Sequence, residues 1–233
     1  MSTVRWITAF LDTPSRDAEP FWTAVTGWEL SERRDGGTFA TLVPTAGDAC
    51  LRVQVVGDGP ARAHLDLHVD DVDPAVAPEA ELVRSEPGPV VLRSPAGITF
   101  CLVGWHGEAV RPVPSGHGSV VDQVCLDIPD SRYERECRFW ARLTGWELRP
   151  TGSPELSYLE RPAGMGIRLL LQRTGSATAG VHVDLACTDM DVEVRRHVAL
   201  GATVVRRVPG DWTTLRDPVG REYCVTGRDP YSS

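Results

Sequence analysis

Two amino acids are missing from this chain of 233 residues: it contains neither lysine nor asparagine, so all 24 basic residues are arginine. Without lysine, the protein cannot form a Schiff base with a carbonyl substrate or use a lysine as a general base. Without asparagine, no side chain of that type can stabilise an oxyanion. Because lysine and asparagine have A-rich codons, their absence also indicates a bacterium with GC-rich DNA as the source.

Long apolar segments and closely spaced cysteines are lacking as well. No apolar run approaches the roughly 20 residues that a membrane span needs, and the start of the chain does not resemble a secretory signal. We therefore expect a cytoplasmic protein with no membrane partner. The six cysteines form no C-x-x-C pair, which argues against a zinc knuckle, a redox motif or a disulfide scaffold. Buried free thiols are expected instead.

Excess positive charge is the third absence. The formal net charge is −8 at pH 7, whereas binding to nucleic acid requires a basic face. The sequence also contains neither a nucleophile elbow nor a glycine-rich phosphate loop. The composition therefore predicts a small-molecule ligand and no nucleic-acid partner.

An internal repeat is the strongest feature that is present. Three blocks recur in the same order: FWTAVTGWEL (21–30) as FWARLTGWEL (139–148), HLDL (64–67) as HVDL (182–185), and LRSPAG (92–97) as LRDPVG (215–220). The first two blocks recur 118 positions later and the third 123 positions later, as expected if the second copy carries a short loop insertion. The conserved order indicates a tandem duplication.

A stretch rich in proline and glycine separates the two copies and predicts a linker. The predicted organisation is a first domain at 1–106, a linker at 107–118 and a second domain at 119–229. Within each domain, the pattern predicts a strand, an amphipathic helix and three short strands, and then repeats. Each domain is therefore βαβββ twice, although Pro74 and Pro78 predict a short or irregular second helix in the first copy.

This organisation resembles the vicinal-oxygen-chelate superfamily of glyoxalases, bleomycin-resistance proteins and dioxygenases. The resemblance rests on Phe-Trp in the first helix, Gly-Trp at its end, the His-x-Asp-Leu strand and the Asp-Pro-x-Gly turn before the last strand. It implies an α+β fold with two tandem domains, each a pair of βαβββ modules whose mixed sheet forms a cup. It does not select an activity, because the superfamily includes isomerases, lyases, ring-cleaving dioxygenases and metal-free antibiotic-binding proteins.

In that superfamily, a divalent metal is held by residues from the first and fourth strands of each module. The resemblance implies a metal site of Gln123, Gln172, His182 and Cys224 in the second domain, with Leu170 as the alternative to Gln172. The matching first-domain positions are Gln54, His64, Cys101 and either Thr8 or Arg5, depending on how the first strands are aligned. Cysteine thus replaces the acidic ligand of the family. The cofactor is either absent or a divalent Ni, Zn or Fe ion in the second domain, since histidine and cysteine suit these metals better than Mg²⁺ or Ca²⁺.

The His-x-Asp pairs are the candidate catalytic residues. His64 and Asp66 lie two apart on a strand and face the same side, and His182 and Asp184 repeat this arrangement. Each pair could act as an acid and base or form a hydrogen-bonded wall of the cup. The predicted ligand-binding residues are Trp6, Thr8, Gln54, His64, His68, Gln123, Gln172, His182 and Trp212. The tryptophans are included as flat walls for a conjugated ligand.

The altered metal positions favour a small-molecule-binding protein whose ligand is an aromatic metabolite or an antibiotic. The alternative is a metal-dependent lyase or isomerase of the glyoxalase type that acts through the second domain. A third hypothesis, a structural or partner-binding protein, predicts cups filled by their own side chains. We expect a monomer rather than a homodimer, because two copies in one chain can pair with each other.

Overall fold

The computed structural model describes residues 4–57, 59–85, 88–114, 116 and 118–231. Ser115 and His117 of the predicted linker, and residues 1–3 of the predicted first domain, lie outside the described residues. The elements of the first half are β1 (Val4–Thr13), α1 (Glu19–Thr26), β2 (Glu29–Leu30), β3 (Phe39–Val43), β4 (Leu51–Val55), β5 (Arg62–Val69), β6 (Glu81–Arg84), β7 (Val90–Arg93) and β8 (Thr99–Gly104).

The second half repeats this order and has one more helix. Its elements are β9 (Ser119–Pro129), α2 (Tyr133–Thr144), β10 (Leu148–Pro150), β11 (Leu156–Leu159), β12 (Arg168–Thr174), β13 (Gly180–Cys187), α3 (Met190–Ala199), β14 (Thr203–Val208), β15 (Trp212–Arg216) and β16 (Glu222–Thr226). A 3-10 turn at Pro74–Val76 takes the place of that helix in the first half. The expectation of a short or irregular element there is confirmed. The physical reason is that a proline inside a longer helix would remove a backbone N–H donor.

Each half forms one eight-stranded mixed sheet, with the order β2-β3-β4-β1-β5-β8-β7-β6 in the first and β10-β11-β12-β9-β13-β16-β15-β14 in the second. The first strands of the two modules, β1 and β5, pair antiparallel at the centre. Each also pairs in parallel with the last strand of its own module, β4 or β8. The second half has the same pairings. The predicted α+β fold of two tandem domains is confirmed.

Helix α2 shows how the sequence specifies these elements. Its buried residues, which include Cys137, Phe139, Trp140 and Leu143, recur at helical spacing. The helix ends at Gly145, whose φ of 73° suits glycine. It begins at Tyr133, directly after a 3-10 turn formed by residues 130–132. None of the described helices has the length and apolar character that a membrane span requires.

The two halves share one core, because each first helix packs against the opposite sheet. The ring of Trp22 in α1 lies 5.1 Å from the ring of Tyr223 in β16. At the matching position of the other half, Trp140 in α2 lies 5.1 Å from Phe100 in β8. Aromatic pairs at this distance contribute beyond the area that they bury. The repeated Phe-Trp motif therefore joins the halves and does not form a ligand pocket.

The connection between the halves follows the surface of the first. The carboxylate of Asp48 accepts hydrogen bonds from the backbone N–H groups of Ala109 (2.7 Å) and Val110 (2.8 Å). Gly47 makes the close approach feasible, since a Cβ there would lie only 2.5 Å from the carbonyl oxygen of Arg111.

Candidate functional site

Each sheet carries one large cavity. The cavity of the first half, here called the first cup, has a volume of about 1030 Å³ and is lined by residues that include Phe10, Asp12, Arg52, His64 and Cys101. The second cup has a volume of about 920 Å³ and is lined by residues that include Asp127, Gln172, His182, Trp212 and Cys224. Residues 179–181 line both cavities, so the two cups adjoin. Volumes of this size suit small-molecule ligands.

In the first cup, His64 lies between two carboxylates. Its Nδ1 atom is 3.0 Å from the Asp12 carboxylate, and its Nε2 atom is 3.8 Å from Asp66. Asp12 also accepts a hydrogen bond of 3.2 Å from Arg62. The sequence predicted the proximity of His64 and Asp66 but gave no sign of Asp12, which fixes the orientation of the ring.

The second cup repeats this arrangement. Nδ1 of His182 lies 3.0 Å from Asp127, and Nε2 lies 3.3 Å from Asp184. Burial opposes protonation of His182, but the neighbouring Cys125 sulfur, the Asp184 charge and hydrogen bonds to Asp127 and Asp184 outweigh it and raise the pKa of His182 well above its usual range. A cation bound at Nε2 would therefore displace a proton.

These matching pairs establish the alignment of the two first strands. Asp12 and Asp127 hold their histidines in the same way, so β1 and β9 correspond with those two residues superposed. Thr8, not Arg5, then corresponds to Gln123. The pairing registers agree, because Thr8 is opposite Asp66 and Gln123 is opposite Asp184.

The second cup also places a thiol beside the histidine. The Cys224 sulfur lies 3.7 Å from Nε2 of His182. Asp184 contributes a buried Oδ1 atom that lies 3.3 Å from Nε2 of His182, and a ligand atom from each of the three residues lies within 4.8 Å of the others. With Nδ1 held by Asp127, these residues fit a borderline-soft divalent cation such as Zn²⁺. Burial raises the pKa of the Cys224 thiol, so binding would also release its proton.

The two glutamines of the predicted metal site are bonded elsewhere. Oε1 of Gln123 accepts hydrogen bonds from Arg168 (2.8 Å) and Arg228 (2.9 Å), while its Nε2 donates to Asp184. Gln172 accepts a hydrogen bond of 3.5 Å from the thiol of Cys125. Gln123 is thus a support for Asp184. Of the predicted four, His182 and Cys224 belong to one group of possible ligands, together with Asp184.

The first cup contains the related group His64, Asp66 and Cys101. Burial is the main reason that the pKa of Asp66 is raised, and burial also raises the pKa of the Cys101 thiol. All six cysteines are buried and free, as expected from their spacing. The group is looser than its counterpart, because the shortest distance between His64 and Asp66 is 3.8 Å.

An aromatic wall distinguishes the first cup from the second. The ring of Phe10 stacks on His64 with a centroid separation of 4.7 Å, and Phe39 meets Phe10 edge-on at 6.3 Å. At the position of Phe10, the second half has Cys125. The alternation of Thr8, Phe10 and Asp12 along β1 could have indicated this wall once the register was known.

Thr8 and His68 lie outside the wall of the first cup. They bond to each other at 2.9 Å, and the other ring nitrogen of His68 is 3.4 Å from Glu108. Burial lowers the pKa of His68 to about 4, so the ring is neutral at pH 7. Gln54 does line the first cup, as expected. Contrary to the expectation that they bind the ligand, Thr8 and His68 are therefore buried residues that do not line the first cup.

The two tryptophans predicted to line pockets have different positions. Trp212 lines the second cup, with Arg206 lying 5.8 Å from its ring. Trp6 is fully buried, donates a hydrogen bond of 3.0 Å to the carbonyl of Ala49 and packs against Gly166. Contrary to the expectation, Trp6 is a core residue, because β1 shifts its register beside it and its indole packs against the second half at Gly166.

Comparison with known proteins agrees with the geometry. The family model for a glyoxalase-like domain matches residues 8–103 and again residues 123–226. The Mn(II)-bound glyoxalase from Novosphingobium aromaticivorans is similar in structure, with a TM-score of 0.67 and 14% identity over 97% of this chain and 83% of that chain. The 2,3-dioxygenase LapB from Pseudomonas sp. KL28 has a TM-score of 0.67 and 15% identity over 97% and 93%. Curated protein sequences give no match. This chain therefore belongs to the glyoxalase-like domain family of the vicinal-oxygen-chelate superfamily, with two domains in tandem.

Proposed function

We propose that this protein binds an aromatic small molecule in the first cup. The observation that supports this most strongly is the aromatic cluster of Phe10, Phe39 and His64 in the wall of a cavity of about 1030 Å³, where the Phe10 and His64 rings stack with centroids 4.7 Å apart. Apolar side chains of Val83, Val91 and Val103 line the same cavity. A concave, mostly apolar site with a few fixed polar groups is typical of ligand pockets.

Each part of the first cup has a role in this function. Phe10 and Phe39 provide the aromatic contact, and Asp12 holds His64 in the plane that stacks on Phe10. Gly180 and Val181 of the opposite half complete the wall and exclude water from one side. The packing of α1 and α2 across the halves supports a monomer as the binding unit.

Thermal unfolding against a panel of aromatic metabolites and antibiotics tests this function. A ligand that binds only the folded state raises the melting temperature by mass action. We expect stabilisation by at least one compound, a smaller shift for Phe39→Ala, and an unchanged shift for Trp212→Ala in the second cup. Tryptophan quenching is a weaker probe, because Trp212 reports on the other cup. No shift with any compound, or a loss confined to Trp212→Ala, would refute the assignment.

A second candidate function is metal-dependent lyase or isomerase chemistry in the second cup. The convergence of ligand atoms from His182, Asp184 and Cys224 to within 4.8 Å of one another favours it. These three residues would hold the ion, Asp127 would fix the imidazole, and the bound ion would act as a Lewis acid. Metal analysis of protein purified without chelators should find about one ion per chain in the wild type and a loss in His182→Ala; substoichiometric metal in the wild type would reject the candidate.

A further inference from the structure

Arg52 is the cationic group of the first cup that the proposed binding of an aromatic ring leaves unexplained. It lies on β4 opposite Phe10 of β1, and its side chain lines the cavity. The guanidinium carbon is 5.5 Å from the centre of the Phe10 ring. Arg52 thus places a positive charge at the edge of the aromatic surface.

This guanidinium lacks a partner among the described residues. Its Nε atom is buried without a hydrogen bond. Asp66 and Glu108 attract it only from a distance, and burial lowers the pKa of Arg52. Arg52 is half-buried, so water satisfies its guanidinium only in part. A partly desolvated cation without a bonded anion is a suitable partner for an anionic group of a ligand.

The other arginines near this wall are already bonded or exposed. Arg62 donates to Asp12 at 3.2 Å, and Arg34 donates to the hydroxyl of Thr41 at 2.6 Å. Arg84 lies at the rim and is exposed. Asp12 is bonded to both Arg62 and His64. Among the described arginines that line this cup, Arg52 is therefore the one that is half-buried and has no hydrogen bond.

We infer that the ligand of the first cup is an aromatic carboxylate, whose ring packs on Phe10 and Phe39 and whose carboxylate pairs with Arg52. This inference rests on the proposed function, since it names the chemistry of the same ligand. A guanidinium matches a carboxylate in shape and offers two parallel N–H donors. The second cup has Leu170 at the matching position, which pairs with Cys125 as Arg52 pairs with Phe10. The second half therefore has no arginine at the position of Arg52.

Isothermal titration calorimetry with matched acids and amides tests this inference. The probes are naphthalene-2-carboxylate and naphthalene-2-carboxamide, with the benzene and biphenyl pairs as smaller and larger rings. We expect wild-type protein to bind the acid of the best-fitting pair about 10-fold or more tightly than its amide. Arg52→Gln should remove this preference and leave amide binding unchanged. Arg84→Gln removes the same charge from the rim and should keep the preference.

The outcomes separate the inference from the function on which it rests. Equal binding of acid and amide by wild-type protein would overturn the carboxylate inference and leave aromatic binding intact. A preference that persists in Arg52→Gln, or that falls equally in Arg84→Gln, would overturn the role of Arg52. Binding of neither member of any pair would reject both. Should Arg52→Gln fail to fold, Arg52→Lys and Arg52→Met provide the comparison, with the preference expected to survive in part only in the former.

Discussion

The indole N–H of Trp22 donates a hydrogen bond of 3.0 Å to Asp217, a residue of the opposite half. The matching Trp140 donates instead to Glu136 of its own helix, at 2.8 Å. Ser94 stands at the position in the first half that corresponds to Asp217. The carboxylate that accepts the indole hydrogen bond thus lies in a turn of the opposite half for Trp22 and in the same helix for Trp140. Both tryptophans nevertheless pack in the shared core.

The first prediction concerns moving the carboxylate that accepts from Trp140, from Glu136 in the helix to position 94 in the turn. Glu136→Ala leaves the Trp140 N–H and the Ala96 N–H without an acceptor, which should lower the free energy of unfolding by about 1–3 kcal/mol. Addition of Ser94→Asp should recover part of this loss, because the new carboxylate occupies the place that Asp217 holds in the other half. Urea denaturation measures both effects; no recovery in the double variant would argue against the equivalence.

The second prediction concerns the buried ion pair of Asp217 and Arg221. Their side chains are 0% and 2% exposed and lie 2.9 Å apart. Asp217→Ala leaves the guanidinium uncompensated and should cost about 3–5 kcal/mol of unfolding free energy. The control is Glu222→Ala, which breaks a half-exposed pair with Arg216 and should cost at most about 1 kcal/mol. Similar losses of unfolding free energy in the two variants would contradict the larger contribution of the buried pair.

Glu193 should make the free energy of unfolding depend on pH in the acidic range. Burial alone would raise its pKa, but hydrogen bonds from His197, Arg196 and Ser119 outweigh burial and lower it from 4.5 to about 2. A carboxyl group with a lowered pKa in the folded state stabilises it above the unfolded pKa, and this stability is lost as the pH falls towards 2. Glu193→Gln should therefore be less stable than wild type at pH 7, with a smaller difference at pH 3. Urea midpoints at these pH values would reveal a constant difference if the mechanism were wrong.

Co²⁺ provides a spectroscopic test of the second cup. Titration should produce a near-ultraviolet absorption band from thiolate-to-cobalt charge transfer, since Cys224 lies 3.7 Å from the His182 ring nitrogen. The band should disappear in Cys224→Ser and persist in Cys101→Ser, the matching change in the looser first-cup group. Loss of the band in Cys101→Ser alone would place the metal in the first cup and contradict a metal site at Cys224.

The fold could be predicted from the sequence because its signals are local and occur twice. Alternating apolar residues, the Phe-Trp helices and the glycines that end them recur in both copies, so each supports the interpretation of the other. The register of β1 could not be predicted, since matching the helices and matching Asp12 with Asp127 gave different answers. Only the contacts of these carboxylates with His64 and His182, more than 50 residues away along the chain, decide between them.

The candidate site was harder to predict, because the role of each residue depends on its contacts with residues that are distant in the sequence. Gln123 occupies a ligand position of the family, yet two arginines from distant segments bind its oxygen. Trp6 lies on the same strand as residues of the cup wall, but it is fully buried and packs against Gly166 of the second half. The sequence did not identify Arg52 as a binding residue, because nothing in the sequence shows which of the 24 arginines lacks a hydrogen-bond partner.

The central claim is that the duplicated scaffold carries two unequal cups, of which the first holds the aromatic ligand. Its most direct test is the stoichiometry of the best ligand by calorimetry, in wild-type protein and in the two cup variants. We predict one site per chain, with affinity reduced about 10-fold or more in Phe39→Ala and unchanged in Trp212→Ala. Two equal sites per chain, or loss of binding in Trp212→Ala with retention in Phe39→Ala, would contradict it.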